Sequence, residues 1–399
     1  MTLTHPPLGA NDPATPAPNL PDGAPLGRRG TRILIAVGVL ILLVPLAVFA
    51  WLARGNTPAT PPLTNGPTGT TNPSASAVPT APTGTPTTSP TAALPSRYTA
   101  IHLPKLAGST TYGTFAFALN DNGQAVGQSE AANGRLHPVL WQNGKITDLG
   151  VLAPGPAEAG MALDINAAGD IVGASESGNG QRAVLWRGGH ITNLGTLGGD
   201  QSLATAINDH DQIVGESTTA AGDTHGFLWE NGHMTDLGLP ARADPRDINN
   251  LGQVVGAMNI TEQGAGQAFL WQNGVVTPLP SPQPTSSAVS INDNGEIVGG
   301  YSNLRENVAS HAVRWYHGVL TELGALASGD ASGAAAINDL GQIIGRSNVA
   351  PHSDVEHAFV WWQGGLHDLT AAGIAAGSTD YDINNRGQIV AGLTLYTPA

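Results

Sequence analysis

The chain has no cysteine in its 399 residues, so a disulfide framework, a thiolate metal site and a cysteine nucleophile are excluded together. It is nearly as poor in lysine, with Lys105 and Lys145 alone, and only 12% of its residues are charged, for a net charge of −14. Nucleic-acid binding needs clustered Lys and Arg to displace counterions from phosphates, so that class of partner is excluded too. Abundant instead are glycine, 52 residues, and proline, 30 residues. That mixture disfavours helical bundles and suits many short strands joined by tight turns.

Three blocks divide the chain. Residues 33–52, ILIAVGVLILLVPLAVFAWL, are twenty positions without a charge, enough to cross a hydrocarbon core of roughly 30 Å. Arg28, Arg29 and Arg32 precede the run and Arg54 follows it. This asymmetry keeps residues 1–32, a short disordered segment, in the cytoplasm and sends the rest outward. The expectation is a single-pass cell-membrane protein with its C-terminal domain outside. The alternative is a secreted protein whose signal peptide is cleaved after Val48-Phe49-Ala50, leaving a mature chain that starts at Trp51. Residues 53–96 are almost all Pro, Thr, Ser, Ala, Gly and Asn, with too little apolar surface to offset ordering entropy, and read as a disordered tether stiffened by proline.

From residue 97 a period appears. Asn120, Asn166, Asn208, Asn249, Asn292, Asn338 and Asn384 each follow a small apolar run, at spacings of 46, 42, 41, 43, 46 and 46, which fits a unit of about four strands. Each unit reads as two hairpins. In the first, AVSI, NDNG and EIVGG (288–300) place Gly295 where positive φ is needed, and the third unit has Asp211 there, one of the few other residue types that tolerate the left-handed region. In the second, AFLWQNGVVTPL (268–279) puts Asn273-Gly274 in a two-residue turn. Its equivalents are Asn143-Gly144, Gly188-Gly189, Asn231-Gly232, His317-Gly318 and Gln363-Gly364. A two-residue loop predicts six cross-strand pairs: Trp141 with Ile146, Trp186 with Ile191, Trp229 with Met234, Trp271 with Val276, Trp315 with Leu320 and Trp361 with Leu366. Each buried tryptophan contributes at most roughly 4–6 kcal/mol.

The ends complete one another. The chain stops after DYDINNRGQIVAGLTL (380–395), the first hairpin of a unit, and the repeats begin with YTAIHLPKLAGST (98–110), which resembles a closing strand. Joining the two halves gives an all-β, seven-bladed β-propeller over residues 97–399, with one blade closed by N- and C-terminal strands. No stretch like HAFLW occurs in the split unit, so its blade is expected to have three strands.

The phrase His357-Ala358-Phe359, followed by Trp361 and then Asp368-Leu369, resembles the extracellular HAF-repeat family, named for that tripeptide. The likeness covers about three quarters of the chain, although the tripeptide reads HPV at 137, RAV at 182, HGF at 225, QAF at 267 and HAV at 311. It implies an exported bacterial repeat protein of propeller type, and it implies no catalytic residue.

Chemistry-bearing positions are sparse. His137, His225, His311 and His357 occupy equivalent places in different blades, so they cannot converge on one ion. Asp148, Asp236, Glu322 and Asp368 recur in the last strand, with Asn193 and Pro278 substituting, and read as turn or surface residues. The Asn-Asp turns lack the ligand spacing of a known calcium loop. His352, Asp354 and Glu356 in PHSDVEHAF would share one face if that stretch were extended, a weak metal-cluster candidate. GASES (173–177) and GRSNV (345–349) do not complete a serine-nucleophile elbow. The expectation is a noncatalytic binding or scaffold module without cofactor, a monomeric ectodomain recognising a protein or glycan. The alternative is an extracellular polysaccharide hydrolase or lyase on the same scaffold.

Overall fold

A computed structural model of the chain describes residues 94–399 apart from 109–112, 154–157, 241, 262–265, 304–307 and 379. Residues 1–93, which hold the expected cytoplasmic segment 1–32, the expected membrane segment 33–52 and most of the expected tether, lie outside the described residues. Among the described residues every regular element is a strand, and no helix is long and apolar enough to cross a membrane.

Each repeat folds into one sheet because its turn residues take the dihedrals its hairpins require. All six two-residue turns have positive φ at both positions, as in Asn273 at 51° and Gly274 at 82°, and Asp211 sits at 63° where the other repeats have glycine. The register follows: all six predicted pairs form, from Trp141 with Ile146 to Trp361 with Leu366. The result is seven four-stranded antiparallel sheets, the blades of a propeller. Blades 1 to 6 span residues 115–148, 160–193, 198–236, 244–278, 285–322 and 332–368. Within each, the strands follow chain order from the axis outward.

Blade 7 is the closure. It uses Tyr381–Ile383, Ile389–Ala391 and Thr394–Pro398, and the N-terminal strand Tyr98–His102 is its outermost member. Tyr98 pairs with Pro398 and His102 with Thr394, so the two ends of the repeat region lie side by side. The expected count of three strands is corrected to four. The C-terminal TLYTP supplies the third strand without an HAFLW phrase, and Tyr396 faces Ile389 as tryptophan faces isoleucine in blade 6.

There is no single central core. Seven apolar clusters sit one at each interface between neighbouring blades. In blades 1 to 6 the first strand carries an irregularity of register three residues before the landmark asparagine. This presses its backbone onto the second strand, and a Cβ on Gly127 would lie 2.0 Å from the Phe115 carbonyl oxygen, with Gly173, Gly215, Gly256, Gly299 and Gly345 in the same position. Blade 7 pairs Tyr381, Asp382 and Ile383 in regular register, and there Ala391 stands where the others have glycine.

Candidate functional site

The landmark asparagines form a closed circle. Each side-chain amide donates to the backbone carbonyl of the next asparagine, from Asn120 to Asn166 and so on to Asn384, which donates back to Asn120, at 2.9–3.3 Å. All seven are buried. They line a cavity of about 200 Å³ at the centre of the ring, together with the residues on either side of each asparagine. Outside this circle a second one runs in the same sense. The residues after the asparagines, Asp209, Asn250, Asp293, Asp339, Asn385 and Asp121, each accept the backbone N–H of the preceding blade at 2.8 Å. Ala167 interrupts that circle in blade 2.

Two residues before the asparagines stand three aspartates that sequence reasoning missed. Asp164 accepts the N–H of Ile165 in its own blade and of Ile207 in the next, both at 2.8 Å. Asp247 does the same for Ile248 and Ile291, and Asp382 for Ile383 and Leu119. Each carboxylate thus fastens two blades, and the set serves blades 2 and 3, 4 and 5, 7 and 1. An edge of each side chain stays accessible, yet the dense surroundings disfavour charge. Burial, then repulsion from Asp247, pushes Asp164 up to about 8; burial pushes Asp382 up to about 6 and raises Asp247 as well. The sequence signal was an aspartate at one fixed offset in three of the seven units.

On the opposite end of the blades the two recurring polar positions meet. The Nδ1 of His137 contacts the Asp148 carboxylate at 2.8 Å, His225 contacts Asp236 at 2.7 Å and His357 contacts Asp368 at 2.8 Å. The other oxygen of each aspartate accepts a turn N–H, from Gly150, Gly238 or Thr370. Burial works against the Asp368 charge, but hydrogen bonds from Thr370 and His357 outweigh it and hold this carboxyl below its ordinary value. In blade 5, His311 stacks on Tyr301, whose hydroxyl donates to Glu322. The histidines and carboxylates are therefore fasteners within blades.

The weak metal candidate is not assembled. His352 takes positive φ (57°), and its Nδ1 meets Asp330 at 3.2 Å. Glu356 meets Arg346 at 3.1 Å, and Asp354 is exposed in the intervening bend. The stretch is a turn rather than an extended strand until Glu356, so the three side chains do not share a face. Among the described residues no group of three His, Asp or Glu is placed to hold a metal ion.

The tryptophans divide into two sets, and the division builds a groove. Trp141, Trp186 and Trp315 are 2%, 3% and 1% exposed, while Trp229, Trp271 and Trp361 are half-buried. Two residues earlier on the same strand face, the first set has Val139, Val184 and Val313, and the second has Phe227, Phe269 and Phe359, all fully buried. The space between blades has a fixed volume, so a phenyl ring that fills it displaces the indole toward solvent. Phe269→Val should let Trp271 sink inward at a cost of about 1–3 kcal/mol, read as a smaller acrylamide-quenchable tryptophan fraction; an unchanged fraction would contradict the exchange. Blades 3 and 4 are consecutive phenylalanine blades, and between them Trp229 and Trp271 line a groove of about 670 Å³ on the face that carries the asparagine turns. Arg187, Asp211, Glu230 and Asn250 supply polar groups, and Asn250 also borders the central cavity.

No protein-family model and no curated relative matches the sequence. Among solved structures, the chain is similar to the β-propeller domain of the Trilobed protease from Pyrococcus furiosus, at 10% identity and a TM-score of 0.46 over 72% of this chain and 94% of that one. It is also similar to a gluconolactonase from Xanthomonas campestris, at 12% identity and a TM-score of 0.36 over 75% and 98% of the two chains. TolB from Acinetobacter baumannii is similar at 9% identity and a TM-score of 0.41, over 65% and 64%. At such identities none of these likenesses carries a function over to this chain.

Proposed function

We propose that the chain is a membrane-tethered, extracytoplasmic recognition module: an exported propeller of HAF type, held off the membrane by residues 53–96, that binds a protein or glycan without transforming it. The observation that carries this reading is the groove between blades 3 and 4. Its volume falls within the range of ligand sites, and it sets two half-buried indoles in a lining that is otherwise mainly polar. The hydrolase alternative has its best support in the central aspartates, yet each of their oxygens is engaged by a backbone N–H. That arrangement suits fastening better than proton transfer. The test is sedimentation of the full-length chain, in detergent micelles, with purified bacterial cell-wall glycan and with washed cells, alongside an assay for new reducing ends. Retention without product is expected. Released sugar ends would make the protein an enzyme, and no retention on either material would remove the recognition reading.

A further inference from the structure

Resting on that recognition reading, we infer that the groove between blades 3 and 4 binds an uncharged oligosaccharide, stacked on Trp229 and Trp271 and hydrogen-bonded by the planar polar groups beside them. The argument begins with why these indoles face outward. Phe227 and Phe269 occupy the interior of two successive interfaces, so two half-exposed rings flank one groove. The third displaced ring, Trp361, has the Arg314 guanidinium 5.7 Å from its centroid. Trp229 also lacks a protein acceptor for its indole N–H among the described residues, whereas Trp141, Trp186, Trp271 and Trp315 donate to carbonyls of Pro104, Gly150, Leu237 and Pro280. A partly exposed indole with a free donor suits a pyranose, whose C–H face packs on the ring while its hydroxyls need partners.

Charge decides against anionic ligands. Arg187 already lies against Asp170 and Asp211, so it is neutralised in place, and Glu230 accepts from Gln212 at 3.0 Å. Among the described residues that line the groove, no lysine or arginine is left unpaired for a uronate or a phosphate. Carboxylate, amide and guanidinium planes stay at the rim, and these can reach adjacent hydroxyls two at a time. Asn250 borders both the groove and the central cavity, so a chain of several sugar rings can run from the axis outward between the blades.

The test is titration calorimetry of the full-length chain with cellohexaose, chitohexaose and mannohexaose, and with hexagalacturonate and a hexalysine peptide as charged comparators. At least one neutral hexasaccharide is expected to bind more tightly than either charged probe. Trp229→Ala and Trp271→Ala should each weaken it by about tenfold, while Trp229→Tyr retains most of the affinity and Trp361→Ala leaves it unchanged. Circular dichroism identifies any variant that fails to fold, and the tyrosine variant then stands in for it. Tighter binding of a charged probe, no binding of any neutral one, or undiminished binding by both alanine variants would overturn the inference. Neutral-sugar binding that survives both alanine changes removes this groove and leaves the recognition reading standing; retention on washed cells without any sugar binding leaves that reading with a protein ligand; new reducing ends overturn the reading itself.

Discussion

Asn338→Ala is expected to destabilise the propeller by about 3–5 kcal/mol, whereas Asn294→Ala, on the same face, should cost under about 1 kcal/mol. The Asn338 amide donates to the Asn384 carbonyl at 2.9 Å and to the Gln342 side chain at 2.8 Å. Its oxygen accepts the N–H groups of Leu340 and Gln342. Alanine leaves the buried Gln342 N–H without a partner and takes from the Asn384 carbonyl one of its two donors, the Gly387 N–H being the other; a buried group left unpaired is penalised more than a solvated hydrogen bond is worth. Asn294, by contrast, makes an exposed bond to the Asp339 carbonyl. Asn338→Asp separates shape from chemistry: it keeps the acceptor, loses the donor and buries a charge facing two oxygens, so at neutral pH it should be at least as harmful as alanine. Guanidinium unfolding of the three variants is the measurement. Losses of similar size for Asn338 and Asn294 would mean that the circle of asparagines contributes little.

The recurrence of those asparagines was visible in the sequence; their circle was not. A repeated Asn before a glycine turn reads as local turn chemistry, and its Oδ1 does serve that turn. The amide end reaches the next blade 41 to 46 residues away, a relation that exists only once the ring has closed. Closure itself was legible, because half a repeat at each end leaves two complementary edges. The third strand of blade 7 was not, since TLYTP shares no phrase with HAFLW and takes its place by register alone.

The fasteners on the other end show a signal that was present and went unread. The units with Arg182 and Gln267 in place of histidine are the units with Asn193 and Pro278 in place of the acid. Two positions that change together within one chain are candidates for contact, and the contact exists at 2.7–2.8 Å in blades 1, 3 and 6. The groove was legible only in part. Val or Phe two places before each tryptophan could be read off the repeats, but which rings turn outward depends on the fixed spacing of packed blades, a tertiary quantity.

Stability should fall as pH rises from 5 to 8, by about 2–3 kcal/mol. The sign follows from the central carboxyls. Asp164, whose ordinary value is 3.8, titrates at about 8 in the fold, and Asp382 at about 6. Glu216 is raised in the same direction, first by burial, then by Asp244, with Arg246 opposing. Between the unfolded and folded values the native state binds more protons than the unfolded chain, so their contribution is whole below pH 4 and is lost as pH climbs through each folded value. Asp330 and Asp368 are lowered instead; their stabilisation disappears only in stronger acid and does not oppose the trend above pH 5. The full shift of Asp164 would be worth more than the expected change, but its partly exposed side chain lets solvent moderate the cost of charge. Asp164→Ser, which copies Ser290 in blade 5, should flatten the slope because one of the raised carboxyls is gone. Guanidinium midpoints at pH 5, 6, 7 and 8 decide it: a slope that is flat or rising in the native chain, or one that the serine variant leaves untouched, would show that the aspartates between the blades stay charged at no cost.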